Sequence, residues 1–416
     1  MNSDKILDAR EERLNYIKEY LADFGVIQIK ANIPGSNKNL NLSYILIKIF
    51  KNEVIRKVKT YQVIYKDSFD GAYFLVLVDK DKSIKIDLIE IEEKHELGRF
   101  IDLDLFVNKD KSITRNDLNK KTRKCYLCND LVIKCMRSNK HTSLELIAFI
   151  DRSLRNYLSN WVNQTVEFSV LAELNLDYKF GLVSPSSFGS HPDMNYDLMK
   201  KAFIIIKPYL VKMFWIGFDE DDLNIIFKKS KQIGLDAESA MFNGLNNINA
   251  YKGLIFILGL ILSSTGYSLS HNQNYLDIYE NIKDMTKDIF KDINYNTFGE
   301  YAYKNLSFGG ARKESQGGLR NVLLAEELLT DFSDKSLHMC LINIIGNCED
   351  SVLLKRAASV DKYNYFKAKI KNINYYDLNL IKSITNECIE NNISCGGSAD
   401  ILIAAVFMRL FKNKFI

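Results

Sequence analysis

The chain has 416 residues, of which 47% are hydrophobic and 26% charged, and its 56 basic and 52 acidic residues leave a net charge of only +4. This composition is typical of a globular protein, and the small net charge gives no support to nucleic-acid binding. A chain of this length exceeds one ordinary hydrophobic core and predicts two domains. The charged N-terminal stretch MNSDKILDAREERL has no apolar signal region, so we expect a cytoplasmic protein whose seven cysteines are thiols or ligands rather than disulfides.

The first part of the chain mixes helical and strand patterns. The stretch DKILDAREERLNYIKEYLADF repeats apolar residues at helical spacing and ends at Gly25. GVIQIKANI predicts a strand that ends at the turn pair Pro34-Gly35. TYQVIYKD and GAYFLVLVD predict two strands joined by a turn, SIKIDLIEIEEKHEL predicts a helix in its later part, and GRFIDLDLFV alternates like a half-buried strand. These elements predict an α+β domain of about 150 residues.

From residue 144 onward the pattern is helical to the C-terminus. Helical periodicity occurs in LELIAFIDRSLRNYLSNWV, LMKKAFIIIKPYLVKMF, DDLNIIFKKSKQIGLDAESAMF, YLDIYENIKDMTKDIF, LRNVLLAEELLTDF and ADILIAAVFMRLF. The run GLIFILGLILSSTGYSL approaches membrane-spanning length, but its hydroxyl residues and the preceding Lys252 favour a buried core helix, and we expect no membrane contact. The sequence therefore predicts a multidomain chain, with an α+β domain over residues 1–155 and an all-α helical domain over residues 156–416.

Two stretches of the first domain carry groups suited to phosphate chemistry. In ANIPGSNKN, a strand runs into a turn that exposes backbone N–H groups beside Lys38, which suits a phosphate or diphosphate, although an ordinary polar turn has the same composition. In LGRFIDLDLF, Asp102 and Asp104 alternate on a strand and so share one face. Two carboxylates beside phosphate commonly hold Mg²⁺, while a solvated strand face shows the same alternation.

The stretch RKCYLCNDLVIKCMRSNKH combines three cysteines and a histidine with basic surroundings. Its spacing, C-x2-C-x6-C-x5-H at Cys125, Cys128, Cys135 and His141, allows tetrahedral zinc, but a second C-x2-C pair is missing and buried reduced cysteines are common. Ten basic residues against three acidic ones give this region a local charge of +7: Lys109, Lys111, Arg115, Lys120, Lys121, Arg123, Lys124, Lys134, Arg137 and Lys140 against Asp110, Asp117 and Asp130. The preferred interpretation is therefore a docking surface for a polyphosphate or an acidic protein, with zinc as the alternative.

Five stretches of the second domain place charged residues beside glycine or serine in an apolar helical context. Burying charge costs free energy unless the charge is paired or bound to a ligand, so five such stretches in series favour a site. The candidate residues are Glu173, His191, Asp193, Lys252, Glu300, Arg312, Glu314, Asp350, Arg356 and Asp400. Single residues have simpler explanations, since Asp193 and Asp400 suit helix caps and Arg312 with Glu314 suits a surface ion pair.

Residues 5–150 resemble the citrate lyase holo-acyl-carrier-protein synthase family, also called apo-citrate lyase phosphoribosyl-dephospho-CoA transferase. The resemblance rests on LDAREERL, ANIPGSNKN, LGRFIDLDLF and SITRNDLN, followed by RKCYLC and CMRSNKHTSLEL. It implies transfer of phosphoribosyl-dephospho-CoA from its triphosphate form to a serine of the citrate lyase acyl carrier protein, the gamma subunit, with loss of pyrophosphate. It also implies Mg²⁺ at the catalytic residues Asp102 and Asp104, and substrate binding by Arg10, Asn32, Gly35, Lys38, Arg99, Arg115, Arg123 and Arg137.

Residues 165–410 resemble the triphosphoribosyl-dephospho-CoA synthase family. The matching features are Lys179-Phe180-Gly181-Leu182-Val183, His191 with Asp193-Met194, Lys252-Gly253, Gly310-Ala311-Arg312 with Glu314, Asp350, Arg356, and the stretch from Ser394 to Asp400. The implied reaction joins ATP to 3′-dephospho-CoA through a ribose–ribose bond and expels adenine. Catalytic roles are implied for Glu173, Glu300, Glu314 and Asp350, and binding roles for Lys179, His191, Asp193, Lys252, Arg312, Arg356, Gly396, Gly397, Ser398 and Asp400.

The sequence departs from the pattern of this second family at several positions. Tyr178-Lys179-Phe180-Gly181 stands where the family has Pro-Lys-Pro-Gly, and Ala250-Tyr251 stands where it has Thr-His. Tyr251 bears most on activity, because the replaced histidine is suited to act as an acid or as a phosphate ligand.

The two halves together predict a bifunctional enzyme, in which one half makes the triphosphoribosyl precursor and the other attaches it to the carrier protein. In a first alternative only the N-terminal transferase is active, and the C-terminal half is a degraded binding or scaffold module. In a second alternative the chain is a docking protein for the carrier, without chemistry. Adenine release from ATP and 3′-dephospho-CoA separates the bifunctional interpretation from both alternatives.

Overall fold

The computed structural model describes residues 2–109, 111–120, 123–128, 130–291 and 298–416. The chain divides into two compact units, one formed by residues 1–160 with 413–416 and the other by residues 161–412. The first unit combines a four-stranded sheet with helices, and the second is helical without a strand in its described part. The predicted order of an α+β domain followed by an all-α domain is thereby confirmed.

The first unit is built on a sheet of four antiparallel strands in the spatial order β2-β3-β1-β4. The strands are β1 (Gly25–Ala31), β2 (Thr60–Lys66), β3 (Tyr73–Val78) and β4 (Ile101–Phe106). The helices are α1 (Asn2–Tyr20), α2 (Asn41–Lys57), α3 (Ile84–Lys94), α4 (Val132–Arg137) and α5 (Ser143–Leu174). The predicted domain boundary near residue 155 falls inside α5, as does the division between the two units.

The strands and helices of this unit match the predicted ones except for α2 and the short α4, which have no predicted counterpart. Buried side chains surround α2 on nearly all sides along the run from Leu42 to Phe50. A helix that is apolar all round lacks the amphipathic stripe by which helices are recognised, because both of its faces meet protein.

The sheet has hydrophobic residues on both faces, which α1 and α2 cover from opposite sides. On the α1 side, Ile17 and Leu21 pack in one cluster with Val26, Leu75 and Leu77 of the strands. On the α2 side, the Lys51 ammonium of α2 lies 5.5 Å from the ring centroid of Phe74 in β3. Strand residues alternate between the faces, so the polar residues of β1 and β4 project on the α1 side.

The edge strand β4 has its outward backbone groups bound by side chains of α3. Glu92 Oε1 accepts a hydrogen bond from Leu103 N at 3.0 Å, and Lys85 Nζ donates one to Leu103 O at 2.6 Å. Further along the strand, Ile113 N donates to Leu105 O at 2.7 Å. Both α3 side chains are buried, and they satisfy main-chain groups that face away from β1.

The second unit is a set of helices connected mostly by short turns. Its helices after α5 are α6 (Tyr196–Asp219), α7 (Leu223–Gly244), α8 (Lys252–Ser270), α9 (Asp277–Thr286), α10 (Phe298–Leu306), α11 (Gly310–Gln316), α12 (Arg320–Leu328), α13 (Asp334–Asn347), α14 (Ser351–Ala357), α15 (Val360–Lys371), α16 (Leu378–Glu390) and α17 (Gly396–Phe415). Side chains of Asn195, Asp222, Ser333, Asp350, Ser359 and Asp377 cap helix N-termini by accepting backbone N–H bonds.

Helix α8 is the apolar run that approaches membrane-spanning length. In the described part of the chain it is the one helix with the length and composition of a membrane span, and 83% of its most apolar 18-residue window is buried inside the protein. Glycines let it approach α6 backbone to backbone, since a Cβ added at Gly217 would meet Ser263 O at 1.8 Å and one at Gly266 would meet Phe214 O at 2.1 Å. As predicted, α8 is a core helix.

Candidate active sites

In the first unit, β1 and β4 place four polar side chains on one face of the sheet. Gln28 lies opposite Asp104, and Lys30 lies opposite Asp102. Directly opposed residues of an antiparallel pair project from the same face, so Asp102 and Asp104 share a face as the alternation predicts. We call Gln28, Lys30, Asp102 and Asp104 the polar sheet face.

A buried carboxylate, Asp70, gathers cations beside the polar sheet face. Its Oδ2 lies 2.8 Å from Arg13 NH1, 3.2 Å from Arg10 Nε and 3.4 Å from Lys30 Nζ. Its Oδ1 is buried and has no hydrogen-bond partner among the described residues. Burial lowers the pKa of the nearby Lys38, although the charge of Asp70 acts in the opposite direction. Four cations around one carboxylate leave an excess of positive charge, which suits a diphosphate.

The loop from Asn32 to Lys38 lies next to this cluster. Lys38 Nζ donates a hydrogen bond to Ile33 O. Gly35 has a φ of +82°, a left-handed conformation that favours glycine. Asn32 is exposed, and its backbone N–H donates to Phe100 O at 2.8 Å, at the start of β4. The predicted phosphate loop and the predicted carboxylate pair are therefore neighbours in the fold.

Glu92 holds two of the predicted arginines on the β4 side of the polar sheet face. Arg115 NH2 lies 2.6 Å from Glu92 Oε2, and Arg123 NH2 lies 2.5 Å from Glu92 Oε1. Arg123 NH1 also contacts Asp102 Oδ1 at 2.7 Å. Glu92 is almost fully buried, so the pairing offsets the cost of burying its charge. These two arginines are therefore bound to acidic side chains beside the polar sheet face and are not part of a free basic surface.

Asp104 and Lys85 form a second contact on this face. Asp104 Oδ1 lies 4.0 Å from Lys85 Nζ, and Gln28 Nε2 donates to Asp104 Oδ2 at 3.4 Å. Burial and then the charge of Asp102 raise the pKa of the Asp104 carboxyl above its usual value. Burial lowers the pKa of Lys85. A carboxylate whose ionisation is disfavoured by a second carboxylate is stabilised by an added cation.

The other basic residues predicted for the docking surface are largely exposed. Lys109, Lys111, Lys120, Lys124, Lys134, Arg137 and Lys140 all lie on the surface. Lys140 Nζ pairs with Asp130 Oδ2 at 2.6 Å, and Arg99 NH2 donates to the backbone oxygen of Lys124. Lys121 and Asp110 lie outside the described residues. The exposed part of the predicted surface thus surrounds α4 and the loops that flank it.

The three cysteines and the histidine of this region converge. One ligand atom from each of Cys125, Cys128, Cys135 and His141 lies within 4.8 Å of the other three. Cys135 Sγ is 3.6 Å from Cys125 Sγ and 3.9 Å from Cys128 Sγ, and the three thiols are free.

In the second unit, Glu173 and Lys179 form a buried ion pair at the end of α5. Lys179 Nζ lies 2.7 Å from Glu173 Oε1 and also donates to Glu173 O at 2.7 Å. Burial lowers the pKa of Lys179. The flanking residues Tyr178 and Phe180 have φ values of +56° and +52°, which the proline found there in the family's pattern, with φ fixed near −65°, does not adopt. Left-handed non-glycine residues are strained, and such strain concentrates at functional sites.

Tyr251 and Asp400 lie close to this pair. The Tyr251 hydroxyl is buried and lacks a hydrogen-bond partner in the part of the chain that the structure describes. Burial, then the charges of Glu173 and Asp400, raise the pKa of Tyr251 well above 10.0. Burial, then the charges of Asp350 and Glu173, raise the pKa of Asp400 well above 3.8. Gly253 leaves room for this carboxyl, since an added Cβ would come within 2.1 Å of Asp400 Oδ2.

Asp350 joins the N-termini of two helices. It caps α14 by accepting hydrogen bonds from the backbone N–H groups of Val352 and Leu353 at 2.9 and 3.0 Å. It also accepts from Gly397 N at 3.2 Å, and from Ser398 N and Oγ at 2.8 Å each. The N-terminus of α17, for whose residues Gly397 and Ser398 the resemblance implies binding roles, is therefore bound to an internal carboxylate.

His191 and Arg356 form a third part of the site. Arg356 NH2 lies 2.8 Å from His191 Nδ1, and His191 Nε2 lies 2.8 Å from Ser394 Oγ. Arg356 NH1 also donates to Ser190 O at 2.7 Å. Burial, then the charge of Arg356, lowers the pKa of His191 to about 4. The imidazole is therefore neutral near pH 7, and the arginine supplies the positive charge here.

Other predicted residues have partners elsewhere in the second unit. Arg312 pairs with Glu300 at 2.8 Å rather than with Glu314, which accepts hydrogen bonds from Asn321 N at 2.6 Å and Nδ2 at 2.7 Å. Lys252 pairs with Glu238 at 2.7 Å. Asp193 is exposed, and α6 is capped by Asn195 instead. Asp400 lies inside α17, so the simpler explanation of both aspartates as helix caps is wrong.

Several residues of the candidate site in the first unit escaped prediction. Asp70 sits in a Ser-Phe-Asp-Gly turn, where aspartate is ordinary turn chemistry. Lys85 and Glu92 lie on a helix whose charges fit a solvated face, yet both are buried. Of these residues, Lys30 could have been predicted from the sequence. A lysine within a mainly apolar strand is rarely fully buried without a partner, so its position indicates a polar contact.

Comparison with known proteins places the two units in two enzyme families. Residues 1–157 match the family described as apo-citrate lyase phosphoribosyl-dephospho-CoA transferase, CitX, and residues 159–415 match the family described as ATP:dephospho-CoA triphosphoribosyl transferase, CitG. The chain is therefore a transferase that combines two family units in one polypeptide.

Two relatives that match nearly the whole chain are named for this combination, and a third matches the second unit. The chain is 30% identical to Protein CitXG of Leuconostoc mesenteroides subsp. cremoris, over 98% of this chain and 97% of the relative. It is 26% identical to Protein CitXG of Haemophilus influenzae, over 99% and 96%. It is also 26% identical to 2-(5''-triphosphoribosyl)-3'-dephosphocoenzyme-A synthase of Haemophilus ducreyi, over 68% of this chain and 98% of that protein. The chain belongs to the CitXG family, the fusion of CitX and CitG.

Proposed function

We propose that the chain is a bifunctional, cytoplasmic enzyme of citrate lyase prosthetic group biosynthesis. Residues 156–416 join ATP to 3′-dephospho-CoA and release adenine. Residues 1–155 transfer the resulting phosphoribosyl-dephospho-CoA to a serine of the citrate lyase acyl carrier protein and release pyrophosphate. The observation that carries the proposal is the match of the two halves to the two families, because the product of one reaction is the substrate of the other.

The acidic cluster of the second unit suits ribosyl transfer. Adenine must gain one proton as it leaves, and the attacking ribose hydroxyl must lose one, so one group that gives and then regains a proton serves both needs. Asp400 is the candidate, because burial and the charges of Asp350 and Glu173 raise its pKa well above 3.8 and so favour the protonated carboxyl. Glu173 and Asp350 act electrostatically on Asp400, and their charge suits a cation-like ribose centre. Arg356, which lies against His191, is a candidate for binding phosphate.

The polar sheet face suits transfer from a triphosphate. The cations Arg10, Arg13, Lys30 and Lys38 suit the leaving pyrophosphate, and Asp102 and Asp104 would hold Mg²⁺. The fit rests on the raised pKa of Asp104, which reflects burial and a second carboxylate that a cation would relieve. When bound, Mg²⁺ supplies charge neutralisation to the phosphate oxygens. The exposed cations around α4 would attract an acidic carrier protein.

One observation favours the alternative in which only the transferase half is active. Tyr251 stands where the synthase family has histidine, and its hydroxyl is buried without a partner among the residues described. Lys252, the next residue, is bound to Glu238. Modification of the carrier with supplied precursor, together with no adenine release, would establish this alternative.

Adenine release by the full chain from ATP and 3′-dephospho-CoA tests the bifunctional proposal. Asp400→Asn is expected to lower the rate at least about 10²-fold, which is typical for loss of a general acid. The matched control is Asp221→Asn, whose side chain is 97% exposed and pairs with His271. Equal rates for both variants would remove Asp400 from the mechanism, and no adenine from the unaltered, folded chain would refute the synthase activity.

A further inference from the structure

The loop between β4 and α5 is organised around its three cysteines. Lys124 and Leu131 form an isolated antiparallel bridge, and Cys125 N donates to Asp130 O at 2.6 Å, so the chain reverses between Cys125 and Leu131. The reversal brings Cys125 and Cys128 next to Cys135 of α4. His141 follows α4 and precedes α5.

The distances among the ligand atoms fit one tetrahedral metal ion. Sulfur ligands at about 2.3 Å from zinc, in tetrahedral directions, are separated from one another by about 3.8 Å. The Sγ atom of Cys135 lies 3.6 Å from that of Cys125 and 3.9 Å from that of Cys128. All four ligand atoms lie within 4.8 Å of one another, so a single ion reaches each of them.

Two further observations independently indicate a metal centre. His141 Nε2 is buried and finds no hydrogen-bond partner within the described ranges, although a buried ring nitrogen is normally paired. The Leu127 N–H points at Cys125 Sγ, with a nitrogen-to-sulfur distance of 3.5 Å. A backbone N–H aimed at a cysteine sulfur supports the thiolate that a metal ligand requires.

We propose that Cys125, Cys128, Cys135 and His141 bind one structural zinc ion. Three thiolates and one imidazole fill a tetrahedral zinc, which leaves no open position for substrate and excludes a catalytic role for the ion. Three thiolates with Zn²⁺ carry a net charge of −1, and the exposed Lys124, Lys134 and Arg137 offset it. The sequence alone favours a docking surface over a metal site here, and the geometry points to both in the same region.

The ion would fix the loop that carries Arg123 to the polar sheet face. Arg123 precedes Cys125 by two residues and contacts Asp102 Oδ1 at 2.7 Å. Between the first two cysteines, the Tyr126 ring lies 5.4 Å from Phe100 and 5.7 Å from Phe149, measured between centroids. The loop is thus attached to the sheet by an arginine and an aromatic ring on either side of the first ligand.

Metal analysis of the untagged full chain, purified from zinc-supplemented cells without chelator, tests the proposal. We expect one zinc ion per chain, and its loss in Cys128→Ser and His141→Gln. Cys340→Ser is the matched control, because this thiol is buried in α13 and donates to Ala325 O, outside the cluster. Zinc content of the unaltered chain no higher than that of Cys128→Ser would overturn the proposal, as would a disulfide among the three cysteines in freshly isolated protein.

Cobalt substitution keeps the proposal testable even if a cysteine variant fails to fold. The unaltered chain, stripped of zinc and reloaded with Co²⁺, is expected to show the intense visible bands of a tetrahedral site and thiolate-to-cobalt absorption in the near ultraviolet. Stoichiometric displacement of the cobalt by zinc would support the assignment. A spectrum of octahedral, oxygen-bound cobalt would refute it.

Discussion

Lys179 Nζ lies 2.7 Å from Glu173 Oε1, and the two side chains are only 0% and 4% exposed. Lys252 and Glu238 pair at the same 2.7 Å with side chains that are 47% and 18% exposed. The two ion pairs have the same chemistry and the same distance but differ in burial. Comparing them therefore shows how burial changes the contribution of an ion pair to the free energy of unfolding.

Lys179→Met is expected to lower the free energy of unfolding by about 3–5 kcal/mol, because it leaves Glu173 charged and buried without its cation. Lys252→Met is expected to cost less than about 1 kcal/mol, since its partner stays near solvent. Urea unfolding of the full chain, followed by the helical circular dichroism signal, measures both. Equal losses in the two variants would show that the buried pair is no more important than the surface pair.

Asp102→Asn and Asp104→Asn are each expected to abolish carrier modification while leaving adenine release intact, because both lie on the polar sheet face of the first unit. Asp79→Asn serves as the control, since this side chain is 54% exposed and contacts Lys59 and Tyr61. Transfer of precursor to purified carrier, followed by mass spectrometry, gives the readout. Full transfer rates in both variants would show that neither carboxylate is needed.

Arg137→Glu is expected to weaken carrier binding, and more strongly at low salt, because exposed charges are screened beyond about 10 Å at 0.1 M ionic strength. Arg123 is unsuited to this test, because its guanidinium contacts Glu92 and Asp102 and its loss disturbs the site itself. Lys231→Glu, an exposed reversal on α7, is the control. Carrier binding is measured for both variants at two salt concentrations. If the two charge reversals weaken binding equally, the carrier is attracted by overall charge and does not dock at α4.

Tyr251→His is expected to leave adenine release unchanged or to increase it. A phenol with a pKa well above 10.0 is a poor proton donor, whereas histidine titrates at about 6.5. Tyr251→Phe keeps the ring and removes the unpartnered hydroxyl, so it distinguishes chemistry from packing. If Tyr251→Phe matches the unaltered chain and Tyr251→His is slower, the hydroxyl takes no part and the cluster does not tolerate an imidazole.

The second unit is expected to lose stability as the pH falls from about 7 to about 5. The pKa of His191 is lowered from 6.5 to about 4 by burial and by Arg356, so the unfolded chain binds a proton in this range and the folded chain does not. Between these pH values, His191 is expected to lower the free energy of unfolding by at most about 2 kcal/mol. Since other groups also titrate, the measurement is the difference between the unaltered chain and His191→Gln. Parallel curves would show that His191 has no lowered pKa.

The sequence predicted the candidate sites best where the side chains concerned recur at short, regular spacing. The alternation in LGRFIDLDLF placed Asp102 and Asp104 on one face, and the register with β1 places Lys30 and Gln28 beside them. The cysteine spacing identified four candidate ligands whose atoms converge in the fold. Both predictions rest on residues close together in the sequence, which remain close together in the folded chain.

Long-range pairings could not be predicted in this way. Asp70 becomes the centre of a cationic cluster only because α1 brings Arg10 and Arg13 across the sheet. In the second unit Lys252 was predicted to join the acidic residues, yet it pairs with Glu238 of α7, and a helix face cannot be assigned from a single charged residue. The placement of such residues depends on tertiary packing.

The capped edge of β4 limits how a partner protein can bind the first unit. An edge strand with free main-chain groups invites a second chain to add a strand, which leads either to recognition by strand addition or to aggregation. Here Lys85 and Glu92 already occupy the outward groups of Leu103. A carrier protein that approaches this side must therefore be recognised through side-chain charge and shape, and the same two contacts oppose strand addition at Leu103.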